Sequence, residues 1–207
     1  MASRVRDLLD RGHIRDFQLF TSIDTWGPQA EYIRHGLDLG IWESNLDTYM
    51  RTCRQPATMM VTFNALSVPN FRGLLGKILE WRRRYAPTDG RVRTIRDIRF
   101  DTPYLREPLQ YDINILPKEE FMPYMRECLE FMEANEDDLD KDKFGPLEVD
   151  KFRRVVSYMD GTRYDDDTLA TGRRDFYRWF KEYDRRKGTD FAATFPELAG
   201  FYESCRG

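Results

Sequence analysis

The fold is decided by a short run of mostly apolar residues, Thr58-Met59-Met60-Val61-Thr62-Phe63-Asn64, which follows Pro56. Its length and its β-branched and aromatic content favour a buried strand over a helix. Residues 16–23 and 94–100, on either side of it along the chain, alternate apolar and polar side chains. Such alternation is typical of a strand with one covered face. The sequence therefore predicts three strands in its first hundred residues.

Segments with helical spacing separate these strands. Residues 41–50 and 71–85 repeat apolar side chains at helical intervals, and a short helix is predicted over 5–10. Strands that alternate with helices predict right-handed βαβ units and a parallel sheet with helices packed on it. We therefore expect an α/β fold.

The pattern changes after the third predicted strand. Prolines interrupt an irregular or extended stretch up to residue 117, in which Tyr111, Ile113 and Ile115 alternate on one face. Helices are predicted over 118–134, 147–158 and 172–187, and the chain is expected to end in a turn around residues 195–197. The organisation expected from this change is a strand-containing region over 1–117 and a mostly helical C-terminal region over 118–207.

Charge and hydropathy exclude several classes of protein. The chain has 33 Lys and Arg against 36 Asp and Glu, whereas nucleic-acid-binding proteins usually have a basic excess. No apolar run reaches the length of a membrane span, and the first residues lack the apolar stretch of a secretion signal. We expect a cytoplasmic protein that binds neither nucleic acid nor membranes. A local arginine cluster at 82–84, 91, 93, 96 and 99 could contact phosphate or an acidic partner, or form the solvated face of a helix and a strand.

The cysteines indicate structural thiols rather than a metal site. Cys53, Cys128 and Cys205 lie far apart along the chain, and the only histidines are His13 and His35. A zinc or iron–sulfur site built from local spacing is therefore excluded. We predict reduced and mostly buried thiols, and no resident metal.

Polar side chains follow each predicted strand. Ser22 and Asp24 follow the first strand, Asn64 the second, and Thr102 and Tyr104 the third. The carboxyl ends of parallel strands meet at one edge of a sheet, where ligands of α/β proteins bind. A hydroxyl, a carboxylate and an amide gathered there suit a ribose-like ligand. The alternative is that Ser22, Asp24 and Asn64 only cap helices and turns, and the residues alone leave both interpretations open.

Several segments, in the same order along the chain, resemble radical S-adenosylmethionine enzymes with a twitch or SPASM-type C-terminal extension. The first is Thr21-Ser22-Ile23-Asp24 followed by Glu31-Tyr32-Ile33-Arg34-His35-Gly36, and the second is Thr62-Phe63-Asn64-Ala65-Leu66-Ser67. Residues 180–188 and Phe195-Pro196-Glu197-Leu198 are similar to the closing segments of that family. The likeness covers most of the chain, and Thr25 departs from it because the family usually has glycine there.

The resemblance implies the second half of a partial (β/α)6 barrel with parallel strands, followed by a twitch- or SPASM-like helical region. In that family a [4Fe–4S] cluster cleaves S-adenosylmethionine to a 5′-deoxyadenosyl radical, which often acts on a peptide. By the matching positions, Ser22 would hydrogen-bond the ribose of S-adenosylmethionine and Asp24 would organise the same loop. Arg34 would pair with the carboxylate of the cofactor, and Asn64 would line the cleft. The chain would thus contribute ribose and carboxylate contacts to the cofactor.

The cysteine triplet CxxxCxxC that binds the cluster in this family does not occur in the sequence. The resemblance therefore implies a truncated or split enzyme that is inactive alone, with the cluster supplied by a missing N-terminal barrel half or a separate chain. Two alternatives stay open. One is a cluster-free binding or scaffold protein that recognises a peptide or protein, and the other is a small α/β domain that binds an ordinary nucleotide at its strand ends.

Overall fold

The computed structural model describes residues 2–87 and 96–206. Helices and strands alternate up to residue 101, and helices follow from residue 118. In chain order the elements are α1 (Ala2–Asp10), β1 (Leu19–Ser22), α2 (Pro28–Ile33), α3 (Leu39–Cys53), β2 (Ala57–Met60), α4 (Phe71–Arg84), β3 (Ile98–Asp101), α5 (Lys118–Ala134), α6 (Pro146–Gly161), α7 (Asp166–Lys187), α8 (Phe191–Thr194) and α9 (Pro196–Ser204).

The three described strands form one parallel sheet in the order β1, β2, β3. Ser22, Met60 and Asp101 lie side by side in this register, at the carboxyl ends of the strands. Beyond these ends, Phe63 and Tyr104 form one further parallel bridge. The parallel sheet with intervening helices that the sequence predicted is confirmed.

The two faces of the sheet differ in chemistry. Ala57, Met59, Ile98 and Phe100 point to one side and belong to the buried hydrophobic core. Side chains alternate along a strand, so the intervening residues point to the opposite side. On that side Phe20 is 61 % exposed and its neighbours are mostly polar. We call this opposite side, formed by residues 20, 22, 58, 60, 99 and 101, the open face.

Arg82 joins the sheet to the C-terminal helices. It is 1 % exposed, and its guanidinium donates to Ile98 O at 2.8 Å, to Lys143 O at 2.7 Å and to Glu148 Oε1 at 2.7 Å. The interpretation of the arginine cluster as a solvated surface is therefore wrong for Arg82. Two other members, Arg91 and Arg93, lie outside the described residues.

Several element boundaries differ from the sequence prediction. The helix over 118–134 is confirmed, but α7 begins at Asp166, where Asp165 caps its first turn by accepting from the amide of Thr168. Residues 195–197 do not end the chain in a turn, because Pro196 begins α9. A proline fits the first turn of a helix, since its missing N–H would have no partner there. The stretch 109–115, predicted as irregular or extended, forms two short 3₁₀ turns. Residues 94 and 95 of the third predicted strand lie outside the described residues.

All three cysteines are free and buried, as predicted for structural thiols. The core to which they belong is one continuous cluster that includes side chains from both the strand-containing region and the C-terminal helices. None of the described helices combines the length and the apolar character needed to cross a bilayer.

Candidate functional site

The loop after β1 is organised by Asp24, which is 3 % exposed. Its Oδ1 accepts a hydrogen bond from the backbone amide of Thr62 at 2.8 Å and one from Arg34 Nη2 at 3.0 Å. Its Oδ2 lies 2.8 Å from Arg34 Nε. The pair is therefore an ion pair with one hydrogen bond, through Nη2, because Nε lies beside the carboxylate without bonding to it. Asp24 thereby joins the loop after β1, the loop after β2 and the end of α2.

Burial and pairing have opposite effects on the Asp24 carboxyl. Loss of water around it raises its pKa, and the Arg34 guanidinium and the Thr62 amide partly offset that rise because they stabilise the anion. Two of the three guanidinium nitrogens of Arg34, Nη2 and Nε, lie next to the carboxylate oxygens of Asp24. Only Nη1 of Arg34 is left for another carboxylate.

Asn64 shapes the loop after β2 from inside. It is 2 % exposed, its Nδ2 donates to Thr62 O at 2.9 Å, and its Oδ1 accepts from the amide of Leu66 at 3.0 Å. Both functional groups of the side chain are thus used within the loop, which is the turn-stabilising role that asparagine often has. Asp24 and Asn64 meet through Thr62, since one binds its N–H and the other its C=O.

Ser22 is the exposed member of the four candidate residues. It lies at the carboxyl end of β1 on the open face, next to Met60 in the register, and its hydroxyl can both donate and accept hydrogen bonds. The structure therefore brings Asp24, Arg34 and Asn64 together around Thr62, and places Ser22 two residues before Asp24 at the edge of the open face. The exposed hydroxyl fits a ribose contact, and the other three fit a role in holding the loops beside it.

A groove of about 600 Å³ lies along the open face towards β3. Its walls come from all three strands, from the first residues of α6 and from residues 138–141. Arg96 fastens the segment before α6 to the sheet, because its Nε donates to Lys143 O at 2.8 Å and its Nη2 to Asp137 O at 2.7 Å. The volume lies in the range of small-molecule sites.

A second polar centre, which the sequence did not reveal, surrounds Asp112. This carboxylate is fully buried, and its Oδ2 accepts the hydroxyls of Tyr158 at 2.5 Å and Tyr164 at 2.7 Å. The ring of Tyr104, which pairs with the end of β2, lies 4.5 Å from the ring of Tyr158. Burial and the anion raise the pKa of both phenols. Of these tyrosines, only Tyr104 was expected at a strand end. Tyr158 and Tyr164 lie 46 and 52 residues from Asp112 along the chain, so no local pattern indicates their contact with it.

Within residues 2–87 and 96–206, no group of three or more His, Cys, Asp or Glu side chains could hold a metal ion. Protein-family models, curated proteins and solved structures give no match to this chain. The chemistry of the site is therefore the basis for inferring its function. An exposed hydroxyl at the end of β1, beside a groove lined by polar and apolar side chains, can bind a hydroxyl-bearing organic ligand.

Proposed function

We propose that this chain is the C-terminal part of a radical S-adenosylmethionine enzyme. It would form the second half of a partial (β/α)6 barrel, contribute contacts to S-adenosylmethionine and position the substrate. The [4Fe–4S] cluster would be held by an N-terminal barrel portion, in the same polypeptide or in a separate chain. The observation that carries the proposal is the polar open face of a parallel sheet whose other face is packed in the core.

The distribution of polar and apolar side chains supports a barrel wall. In a β/α barrel the outer face of each strand packs against helices, and the inner face lines the lumen. A sheet face that is buried by packing alone is apolar, whereas the open face has Ser22, Thr58, Arg99 and Asp101. Such polar side chains suit a lumen that holds a ligand.

The outer edge of β1 supports the addition of further strands. The amides of Leu19 and Ile23 donate to β2, at Pro56 O and Met60 O. Because backbone groups alternate in direction along a strand, the amides of Phe20 and Ser22 point away from β2. On that side no strand pairs with β1 among the described residues. A free edge of this kind can pair with another strand.

Ser22 is the residue that we assign to the cofactor. When bound together with its cluster, S-adenosylmethionine supplies a 5′-deoxyadenosyl radical. The Ser22 hydroxyl would bind the ribose, while Asp24 and Asn64 would hold the loops that fix its position. Arg34 would reach the cofactor carboxylate only through Nη1, since its Nη2 binds Asp24 and its Nε is buried beside the same carboxylate.

Calorimetric titration with S-adenosylmethionine tests this assignment. Ser22→Ala should weaken binding by about tenfold, because one hydrogen bond contributes roughly 1–1.5 kcal/mol. Ser44→Ala, which removes an exposed hydroxyl on α3, is the matched control and should leave the affinity unchanged. Equal affinities for all three proteins would refute the role of Ser22.

The cluster half of the proposal has its own test. We expect the DNA directly upstream of the Met1 codon to encode a CxxxCxxC segment. Co-production of that polypeptide with this chain, followed by anaerobic reconstitution, should yield 5′-deoxyadenosine from S-adenosylmethionine. Intact unrelated genes at that position, or no 5′-deoxyadenosine from the reconstituted pair, would contradict the proposal.

A cluster-free protein that binds a peptide at the open face is the second candidate. It is favoured by the internal use of Asp24 and Asn64, whose side chains bind their own loops. This candidate predicts that the chain binds peptide without S-adenosylmethionine.

A further inference from the structure

We propose that the groove on the open face binds the carboxylate of an organic ligand through Arg99. The inference rests on the proposed function only in taking the open face as a ligand-binding surface. It adds a chemical class of substrate: a singly charged carboxylate attached to an apolar group, as in an acidic side chain within a peptide.

Arg99 lies on β3, the last strand of the described sheet, and belongs to the open face. In the register it follows Phe20 and Thr58 in one row across the three strands. Its Nε donates to Arg96 O at 3.2 Å. Within residues 2–87 and 96–206 the two terminal nitrogens of its guanidinium have no carboxylate partner. Those nitrogens are the part of the fork that binds a carboxylate.

The other cations of the groove already have partners. Lys151 Nζ lies 2.8 Å from Asp101 Oδ1. Lys141 Nζ lies 3.8 Å from Asp138 Oδ1, and Arg96 Nη1 lies 3.7 Å from the same oxygen. Among the described residues that line the groove, Arg99 is therefore the cation whose charge is not compensated.

The charge of the lining limits the ligand. Four cationic and three carboxylate side chains line the groove, and one of these carboxylates, Glu148, is already paired with the buried Arg82. The described lining therefore keeps an excess of positive charge, which an anion would offset. Because Asp101 lies on the same face as Arg99, a singly charged carboxylate meets less repulsion there than a phosphate dianion would.

The remaining walls are mostly apolar, with Gln18 and Thr58 as the uncharged polar side chains among the described lining. Phe20 is 61 % exposed and Leu147 is 63 % exposed, and both line the groove together with Met60 and Pro146. An alkyl or aromatic group beside the carboxylate would cover these side chains and remove apolar surface from water. The groove thus combines one anion site with adjacent apolar contacts, and its volume of about 600 Å³ accommodates more than a single residue side chain.

The test is a nuclear magnetic resonance titration of the 207-residue chain with hexanoate and with its neutral analogue hexanamide. Hexanoate should shift the Arg99 Nε–H resonance and the backbone amides of the three strands, with a Kd on the order of 1 mM for a ligand of this size. Hexanamide should bind at least about tenfold more weakly, because it cannot accept the charged two-point contact.

Three variants separate the anion site from a general surface effect. Arg99→Gln should weaken hexanoate binding by at least about tenfold. Arg83→Gln, which removes an exposed arginine from α4 away from the groove lining, should have no effect. Asp101→Asn frees Lys151 from its ion pair and should tighten hexanoate binding several-fold. A misfolded variant cannot produce that gain.

Equal binding of hexanoate and hexanamide, an unchanged affinity in Arg99→Gln, or weaker binding in Asp101→Asn would overturn the inference. A parallel titration with S-adenosylmethionine distinguishes it from the proposed function. If the chain binds hexanoate but not S-adenosylmethionine, the cofactor role alone is refuted. If the chain binds S-adenosylmethionine but not hexanoate, the Arg99 site alone is refuted.

Discussion

The Asp24 carboxylate is buried at the end of β1, and Arg34 is the cation that compensates it. Burial of a carboxylate is unfavourable unless a partner and hydrogen bonds stabilise the charge. Here the guanidinium of Arg34 and the amide of Thr62 supply both. The geometry of the loops beside Ser22 therefore depends on this pair.

Arg34→Ala should destabilise the protein by about 3–5 kcal/mol, because it leaves a buried charge without a partner. Urea unfolding at neutral pH measures the change. Arg51→Ala is the matched control, since Arg51 forms an exposed i,i+4 pair with Asp47 and such pairs contribute roughly 0.3–0.5 kcal/mol. A similar loss in both variants would contradict a special role for the buried pair.

The pH dependence of the Arg34→Ala effect has a definite sign. Burial already raises the pKa of Asp24 in the folded chain, and removal of the cation raises it further. The folded variant then holds a proton that the unfolded chain releases above about pH 3.9. Its stability should therefore fall as pH rises from that value, so that the deficit relative to the parent protein is larger at pH 7 than at pH 4.5. A deficit that does not change with pH would contradict this account.

Single residues show how much of the site could be predicted from sequence. The closeness of Asp24 and Asn64, and the position of Ser22 at the end of β1, could be predicted because parallel strand ends lie together. Neither the uncompensated Arg99 nor the buried Asp112 could be predicted in the same way. Their surroundings come from segments far along the chain, such as Tyr158, 46 residues from Asp112, and no local spacing encodes those contacts.

At the scale of elements, α7 packs closely against the 3₁₀ turns that follow β3. Gly172 is a buried residue of α7, and a Cβ added to it would lie 2.9 Å from Ile115 Cγ2 and 3.0 Å from Leu109 Cγ. Gly200 lies in α9 with no atom within 4 Å of the same position. The two glycines therefore have the same helical backbone and different surroundings.

Alanine at these glycines should change stability in opposite directions. Gly200→Ala should stabilise the protein by about 0.5–1 kcal/mol through helix propensity. Gly172→Ala should gain the same propensity but lose roughly 1–3 kcal/mol through overpacking, for a net loss of about 1–2 kcal/mol. Thermal and urea unfolding measure both variants. A stabilised Gly172→Ala would show that α7 and the 3₁₀ turns are less closely packed.

Elements with a strong local pattern were predicted well, and those defined by tertiary contacts were not. The apolar spacing of 118–134 defines α5 to the residue. Residues 109–115 belong to a stretch predicted as irregular or extended, with Tyr111, Ile113 and Ile115 alternating on one face, and they form 3₁₀ turns. Asp112 accounts for this difference, because its buried carboxylate binds the amide and side chain of Asn114. That bond closes a turn that alternation alone does not indicate.

At the scale of the whole molecule, one continuous core buries several groups that ionise in alkali. Burial raises the pKa of Cys128 to about 12 and that of Cys205 to about 11. It also raises the pKa of Tyr49 and of Tyr202 to about 12 each. These groups lie in different elements, so their combined effect is a property of the fold.

We expect the protein to lose stability in moderate alkali. An unfolded thiol ionises near pH 8.5, whereas the folded chain keeps both thiol protons up to about pH 11. Above pH 8.5 the folded state therefore binds more protons, and its free energy of unfolding falls by about 1.4 kcal/mol per pH unit for each thiol. Below pH 8.5 the thiols are protonated in both states, so the free energy of unfolding keeps its full value there. The loss between pH 7.5 and 9.5 should be about 3 kcal/mol for the two thiols.

Guanidinium unfolding at intervals between pH 7.5 and 9.5 measures this slope. The Cys128→Ala, Cys205→Ala double variant is less stable at every pH, because it removes two buried side chains. Its stability should nevertheless fall much less steeply with pH in this range, because Cys53, whose pKa burial also raises, is the one thiol it keeps and the tyrosines ionise only near pH 10 when unfolded. The comparison rests on the slope and not on the absolute stability, so the cavities left by alanine do not confound it. An equal slope in both proteins would show that the alkaline loss arises elsewhere and that the buried thiols release their protons in the folded chain.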